Sequence, residues 1–351
     1  MITNGNKYTV VDLFSGAGGL TIGFAQTGYQ ILLSTDIDND CATVHRNNMP
    51  SIPFLQSDIK DITEEKIRQY VQTDVDVLIG GPPCQGFSTI GARASSKSEI
   101  RNRVDPRNSL FKEYIRILKC LRPKVFLMEN VKGLLTKDKG AVLSEITEAF
   151  INTGYIFNYV ILNAADYGVP QIRERVFFYG NRIGIEMNPP IATFGSGKKP
   201  YNVVKGAIED LADSNTRALN HIPLKHGEIN IRRYSLIPEG GRMPEDSLPP
   251  ELYRKNFGNT FKRLDRNKPS LTMVPGHNAF PIHPWLNRSL TVREAARLQT
   301  FPDDFEFFGS RQKQCMQVGN AVPILLSKAW AQTIDTYLTS FYKTDEQSNF
   351  H

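Results

Sequence analysis

Gly80-Gly81-Pro82-Pro83-Cys84-Gln85-Gly86-Phe87-Ser88 sets one cysteine in a rigid loop directly after the apolar run Val75-Asp76-Val77-Leu78-Ile79. Two prolines fix φ and two glycines allow a tight backbone approach, so the loop is suited to hold a thiolate in a constant position against a planar electrophile. A second apolar run, Val125-Phe126-Leu127-Met128, leads into Glu129-Asn130-Val131, which puts a possible proton donor at another strand end. Asp12-Leu13-Phe14-Ser15-Gly16-Ala17-Gly18-Gly19 opens a helix straight after a strand, where a nucleotide or its analogue sits in an α/β sheet. The dinucleotide fingerprint needs a third glycine at position 21, and Thr21 stands there, which disfavours a nicotinamide cofactor. Asp36 and Asp38, closing the next strand, suit ribose hydroxyls, and Asp58, closing the third, suits an adenine amine.

These residues need a scaffold, and the first half of the chain alternates strand and helix signals at the spacing of an α/β sheet. Strands are expected at 9–14, 31–35, 54–56, 75–79 and 125–128, with helices at 19–27, 40–47, 64–71 and 110–121 between them. Two later strands, 157–162 and 175–180, carry apolar residues on both faces, which predicts positions in the middle of a covered sheet. After Asn181 the chain turns rich in Pro, Gly, Asn and His, and a helical pattern returns at 291–299 and 323–338. The expected division is one domain over 1–188, completed by 316–351, with a second domain and hinge over 189–315.

The 351 residues are 40% hydrophobic and 22% charged, ordinary for a globular protein, and no apolar run is long enough to span a membrane. A cytoplasmic protein is expected. Cys41, Cys84, Cys120 and Cys315 form no CxxC pair and no ligand cluster, so free thiols and no metal are expected. The net charge is +6, and residues 188–288 hold 15 Lys and Arg against 9 Asp and Glu, a face that a polyanion would meet first.

Six blocks in order resemble the motifs of the bacterial DNA cytosine-5 methyltransferases of restriction-modification systems. They are Asp12 to Gly19, Gly80 to Ser88, Glu129 to Val131, Gln171-Ile172-Arg173-Glu174-Arg175, Arg293 to Gln299 with Phe301-Pro302-Asp303, and Gln317-Val318-Gly319-Asn320-Ala321-Val322-Pro323. The resemblance runs from about residue 9 to residue 338, with clear motifs missing only between Asn188 and Pro269. It implies a Rossmann-like mixed sheet of the S-adenosylmethionine-dependent methyltransferase type with a second, smaller target-recognition domain. It also implies S-adenosyl-L-methionine as methyl donor, S-adenosyl-L-homocysteine as product, and methyl transfer to carbon 5 of a flipped cytosine in double-stranded DNA.

The resemblance further gives Cys84 the role of nucleophile at carbon 6 and Glu129 that of partner at ring nitrogen 3. It makes Arg175 a donor to the cytosine carbonyl and sets Arg173 nearer the phosphates. Around the cofactor it implies Phe14, Ser15, Gly16, Gly18, Gly19, Leu20, Asp36, Ile37, Asp58, Ile59, Pro83, Leu110, Asn320, Ala321 and Val322. For DNA, Gln85 and Ser88 lie in the cysteine loop, and the following basic stretch with Arg93 and Arg107 would clamp the duplex during flipping. Arg232, Arg233, Arg242, Arg254, Lys262 and Arg263 are candidate phosphate or guanine contacts. Thr272 is expected near target-strand phosphates, and Arg293, Arg297 and Gln299 are expected to brace the two domains.

A monomer on DNA and a separately encoded restriction endonuclease complete this expectation. The alternatives are a transfer RNA cytosine-5 methyltransferase of the same family and a non-catalytic DNA-binding protein. The first carries a Cys-Phe-Thr segment in its second domain, whereas this chain has no cysteine between Cys120 and Cys315. The second would not need Cys84, Glu129 and Asn320 together.

Overall fold

The computed structural model describes residues 8–83, 110–213, 216–254, 257, 261–274 and 280–348. The chain divides into two units: Met1–Asn163 with Glu174–Ile191 and Ser327–His351, and Ala164–Arg173 with Ala192–Leu326. The expected boundaries differ from this. Residues 164–173 and 316–326 fall in the second unit, where Gln171 and Ile172 hydrogen-bond to Leu298, Met273 and Ser270, and Arg173 and Gln299 donate to the carbonyls of Gly319 and Val318.

The first unit begins with β1 (Thr9–Leu13), α1 (Gly19–Ala25), β2 (Gln30–Asp36), α2 (Asn39–Asn48) and β3 (Phe54–Gln56). It continues with α3 (Glu64–Arg68), β4 (Val77–Gly80), α4 (Leu110–Leu121), β5 (Val125–Val131), α5 (Ala141–Ile151), β6 (Ile156–Asn163) and β7 (Glu174–Asn181). The seven strands form one mixed sheet in the order β3-β2-β1-β4-β5-β7-β6. The first five run parallel, and β7 is antiparallel to both β5 and β6. Val77, Leu78, Ile79, Val125, Phe126, Leu127 and Met128 are wholly buried, as continuous apolar runs should be in strands covered on both faces.

The periodicity of α4 explains one cover. Phe111, Tyr114, Ile115, Leu118 and Leu121 fall on one helical stripe and are buried against the sheet. The Tyr114 hydroxyl donates to the carbonyls of Leu78 and Leu127 at 2.9 and 3.2 Å, tying β4 to β5. Gly80 ends β4 where only glycine fits, since a Cβ there would stand 2.5 Å from the Leu13 carbonyl oxygen.

The expectation for the later strands holds only for β7. Strand β6 is the sheet's edge, with Ile156 54% and Tyr159 41% exposed on opposite faces, so its apolar run marks an outermost strand rather than a covered one.

The second unit contains α6 (Val204–Ile208), α7 (Glu228–Ser235), α8 (Val292–Leu298) and α9 (Arg311–Asn320). The last helix, α10 (Ile324–Ser348), starts in this unit and from Ser327 belongs to the first, where Trp330 packs on Phe177 and Tyr179. The sheet of the first unit supplies most of the regular pairing. The second unit has isolated bridges and a small core of Tyr234, Ile237, Met243, Phe261 and Ile282. Its carbonyls are satisfied partly by buried arginines, as irregular buried backbone requires. Arg263 alone donates to the carbonyls of Tyr234, Ile237, His283 and Leu286 and to the Asn287 side chain. Among the described residues no helix is long and apolar enough to cross a membrane.

Candidate active site

Parallel strands β1, β2, β4 and β5 end on one side of the first unit, the side of the turn after β1, of Asp36 and of Glu129. The turn after β1 is left-handed at Phe14 (φ 57°), Gly16 (φ 55°) and Gly18 (φ 88°). It is tied down by Ser15 N–H to the Thr35 carbonyl at 3.0 Å and Gly18 N–H to the Ser15 carbonyl at 2.8 Å. Gly19 and Leu20, in the first turn of α1, are buried. At the end of β2 the Asp36 carboxylate accepts from the N–H groups of Gly16 and Asp38, both at 2.9 Å, and burial raises its pKa against these bonds.

The neighbours of Asp36 separate into distinct jobs. Ile37 is 63% exposed. Asp38 caps α2, its Oδ1 accepting from Asp40 and Cys41 N–H. Asp58 caps a short 3-10 turn, accepting from Lys60 N–H at 3.0 Å, and the Ile59 side chain is buried in the core rather than presented to a ligand. Leu110 opens α4 with a partly buried side chain, and Pro83 is exposed. Asn320, Ala321 and Val322 belong to the second unit, where Asn320 is exposed and the other two are buried.

Three residues in this region were not singled out from the sequence as binding residues. Asp12 is fully buried, and the Thr21 hydroxyl donates to its Oδ2 at 2.5 Å. Burial, with a smaller contribution from the charge of Asp36, pushes the Asp12 pKa up to about 7. Thr21, the residue that breaks the dinucleotide fingerprint, is therefore the partner of this carboxyl. His45 of α2 lies beneath the turn, its Nε2 3.3 Å from the Ser15 hydroxyl. The available signals were an acid inside an apolar strand and a histidine on the buried stripe of an amphipathic helix.

The second cluster joins β5, β7 and the start of the cysteine loop. Glu129 is 8% exposed, and its Oε1 lies 2.9 Å from Arg175 Nε. Desolvation lowers the Arg175 pKa and the Glu129 charge opposes that shift, so the pair is mutually dependent. The arginine also donates to the Glu174 carbonyl at 2.8 Å. Glu129 Oε2 stands 3.2 Å from the place a Cβ on Gly81 would occupy, and the Asn130 side-chain amide donates to the Pro82 carbonyl at 3.2 Å. Glycine at 81 thus lets the loop close on the carboxyl, three residues before Cys84. Cys84, Gln85, Ser88, Arg93 and Arg107 lie outside the described residues.

Arg173 differs from the expectation of a phosphate contact. It is 1% exposed and donates to the carbonyls of Gly319 at 3.0 Å and of Met273 and Asn320 at 3.4 Å, all in the second unit. A guanidinium enclosed by three carbonyls braces backbone. Arg233 and Arg263 depart in the same way, buried with their donors spent on carbonyls. Arg232 pairs with Glu251 at 2.9 Å, and Arg254 lies over the Phe261 ring. Arg242 stands opposite Lys262 on an antiparallel bridge, and burial followed by the Arg242 charge lowers the Lys262 pKa. The Thr272 hydroxyl donates to the Ile172 carbonyl at 2.8 Å. Arg293, Arg297 and Gln299 find their described partners inside the second unit rather than bracing two domains: carbonyls of Leu219 and Pro302, the carboxylates of Asp210 and Asp303, and the Val318 carbonyl.

Among the described residues Cys41, Cys120 and Cys315 form no disulfide, and no group of ligand-type side chains could hold a metal. The arrangement offers a strained glycine turn bordered by carboxylates and, on neighbouring strands, a buried carboxyl-guanidinium pair against the loop that leads to a cysteine.

Comparison with known proteins covers nearly the whole chain. A model of the C-5 cytosine-specific DNA methylases matches residues 8–336. M1.HphI, a Type II methyltransferase of Haemophilus parahaemolyticus, is 40% identical over 333 residues, covering 93% of this chain and 86% of its own. M.DdeI, a Type II methyltransferase of Desulfomicrobium norvegicum, is 34% identical over 376 residues, covering 93% and 88%. The crystal structure of a putative DNA modification methyltransferase encoded within an E. coli prophage aligns with a TM-score of 0.69 at 27% identity, covering 95% of this chain and 100% of that one.

Proposed function

The chain belongs to the C-5 cytosine-specific DNA methylase family and is a DNA cytosine-5 methyltransferase, and from that premise we propose that it methylates a flipped cytosine in double-stranded DNA through a covalent Cys84 adduct. The relatives are Type II methyltransferases, and the same restriction-modification setting, with a companion endonuclease encoded separately, is proposed here. The enzyme is proposed to act as a monomer, in the cytoplasm, on the DNA of the cell.

Carbon 5 of cytosine is too poor a nucleophile to take a methyl group unaided, which is why a covalent step is needed. The Cys84 thiolate forms a bond to carbon 6, the ring's π electrons shift toward nitrogen 3, and Glu129 delivers a proton there. Carbon 5 is then the nucleophilic end of an enamine. Arg175 orients the Glu129 carboxyl through Nε, and the rest of its fork is proposed to donate to the cytosine carbonyl oxygen. After transfer, carbon 5 loses its proton, the carbon 5 to carbon 6 double bond re-forms as the Cys84 thiolate leaves, and nitrogen 3 returns its proton to Glu129.

S-adenosylmethionine, when bound, supplies an electrophilic methyl group on a sulfonium. The residues present suit it. Left-handed Gly16 and Gly18 allow close backbone approach, and Asp36 ends β2 with a carboxylate beside that turn. Flipping is assigned to the basic stretch from Thr89 to Arg107, and sequence reading to the second unit, where Arg232, Arg242, Arg254 and Lys262 remain candidates once Arg233 and Arg263 are given to the scaffold.

The observation that carries this reading is the buried Glu129–Arg175 pair pressed against Gly81 at the entry to the cysteine loop. Bisulfite sequencing of plasmid DNA from a host expressing the chain tests it. Protected cytosines in one sequence context are expected; uniform conversion would refute the assignment.

A further inference from the structure

His45 is buried to 1% exposure on α2, in a place a leucine would fill without the cost of desolvating an imidazole. Its surroundings explain why a polar ring is there. The Ser15 hydroxyl donates its single hydrogen to the Thr35 carbonyl at 3.3 Å, so the oxygen's lone pair is what faces His45 Nε2 at 3.3 Å, and Nε2 is the donor. A backbone hydrogen bond with Gly16 engages the same imidazole. The other nitrogen, Nδ1, is buried with no hydrogen-bond partner among the described residues, so a second proton would have no acceptor. Burial accordingly lowers the His45 pKa to about 4, and the ring is neutral with its hydrogen on Nε2.

The ring's position is as constrained as its protonation. It packs on Phe54 at 4.5 Å between centroids, and its Nε2 and Cε1 lie 3.4 and 3.5 Å from where a Cβ on Gly18 would stand. The turn above holds Phe14, a bulky residue, at φ 57°, a conformation that side chains of this size adopt only when surroundings over-determine it. Ser15 sits between left-handed Phe14 and Gly16, and its side chain is anchored to β2 on one side and His45 on the other.

The geometry points to His45 as the positioning residue of the cofactor turn: its Nε2–H holds Ser15 from below and its ring supports Gly18, so that affinity for the S-adenosyl ligand depends on it while affinity for DNA does not. This rests on the reading of the Phe14–Gly18 turn as the S-adenosylmethionine site. The role is one of positioning, since Ser15 and the glycines, not His45, would face the ligand.

Calorimetric titration of S-adenosylhomocysteine into wild type, His45→Phe and His45→Gln separates the possibilities, with duplex DNA binding measured on the same samples without the ligand. Phe keeps the ring and removes the donor; Gln restores an N–H. His45→Phe is expected to weaken S-adenosylhomocysteine binding by about tenfold, the scale of one lost buried hydrogen bond. His45→Gln is expected to recover most of that, and DNA affinity to stay within about twofold of wild type, the scatter ordinary for a distant surface. Phe binding the ligand as tightly as wild type would overturn the inference, and so would equal losses for ligand and DNA. If His45→Phe fails to fold, His45→Asn, too short to reach Ser15, replaces it in the same comparison. A wild-type protein that does not bind S-adenosylhomocysteine would instead refute the cofactor assignment itself.

Discussion

Replacing Glu129 with Gln changes one atom type in the buried pair and separates its hold on Arg175 from the proton transfer at nitrogen 3 proposed for it. Both side chains are about nine-tenths covered, at 12% and 11% exposure, and meet at 2.9 Å. Removing one member of a buried pair costs about 3–5 kcal/mol when nothing replaces it, and Gln keeps an oxygen for Arg175 Nε, so a loss of about 2–3 kcal/mol in unfolding free energy is expected. The catalytic loss should be larger in effect. An amide cannot transfer the proton, and a positioned acid is worth about 10²–10⁴ in rate, or roughly 3–5 kcal/mol of barrier. Single-turnover transfer of a labelled methyl group to plasmid DNA reads the rate, and urea titration reads the stability. A Glu129→Gln protein that is destabilised by this amount yet transfers methyl within about threefold of wild type, well under that acid's worth, would make Glu129 a structural partner of Arg175 and remove it from the chemistry.

Asp12→Asn should change how stability responds to pH. The folded chain keeps a proton on Asp12 to about pH 7, while the unfolded chain releases it near 3.8, so wild-type stability falls as pH rises between those values, by at most roughly 4 kcal/mol. Asn has no such proton, and its stability relative to wild type should improve from pH 5 to pH 8; parallel curves would contradict the buried neutral carboxyl. Gly80→Ala brings a Cβ to 2.5 Å from the Leu13 carbonyl, a backbone atom that cannot step aside, and should destabilise by about 3 kcal/mol or more by urea titration. Arg242→Ala and Lys262→Ala should each weaken duplex binding and reduce the slope of log affinity against log salt by about 1, since like charges held opposite one another are costly without an anion between them. An unchanged slope would place both outside the DNA contact.

The sheet was legible because its signals are local. Continuous apolar runs such as Val77 to Ile79 and Val125 to Met128, followed by glycine or acid, mark parallel strands and where they end. The position of β6 was not, since Ile156 to Leu162 has the composition of a central strand and only its pairing with β7 alone reveals an edge. In the second unit charge misled. Arg233 and Arg263 read like Arg242 in the sequence, and whether a guanidinium faces solvent or four carbonyls is decided by long-range packing. The same limit applies to Arg173 and to Thr21, whose roles come from partners distant along the chain or across an element boundary. Glu129 and Arg175 were legible as charged residues at the ends of apolar runs, while their direct pairing needed the antiparallel register of β5 and β7.

The central claim is a covalent bond between Cys84 and a cytosine in DNA. Duplex carrying 5-fluorocytosine at the methylated position, incubated with the enzyme and S-adenosylmethionine, should give a complex that survives denaturing electrophoresis, because fluorine cannot leave as the proton does and the adduct is held before elimination. Wild type should be trapped and Cys84→Ser should not, while the variant still binds S-adenosylhomocysteine. A wild-type enzyme that methylates ordinary duplex but is never trapped, or a Cys84→Ser variant that turns over near the wild-type rate, would contradict the account.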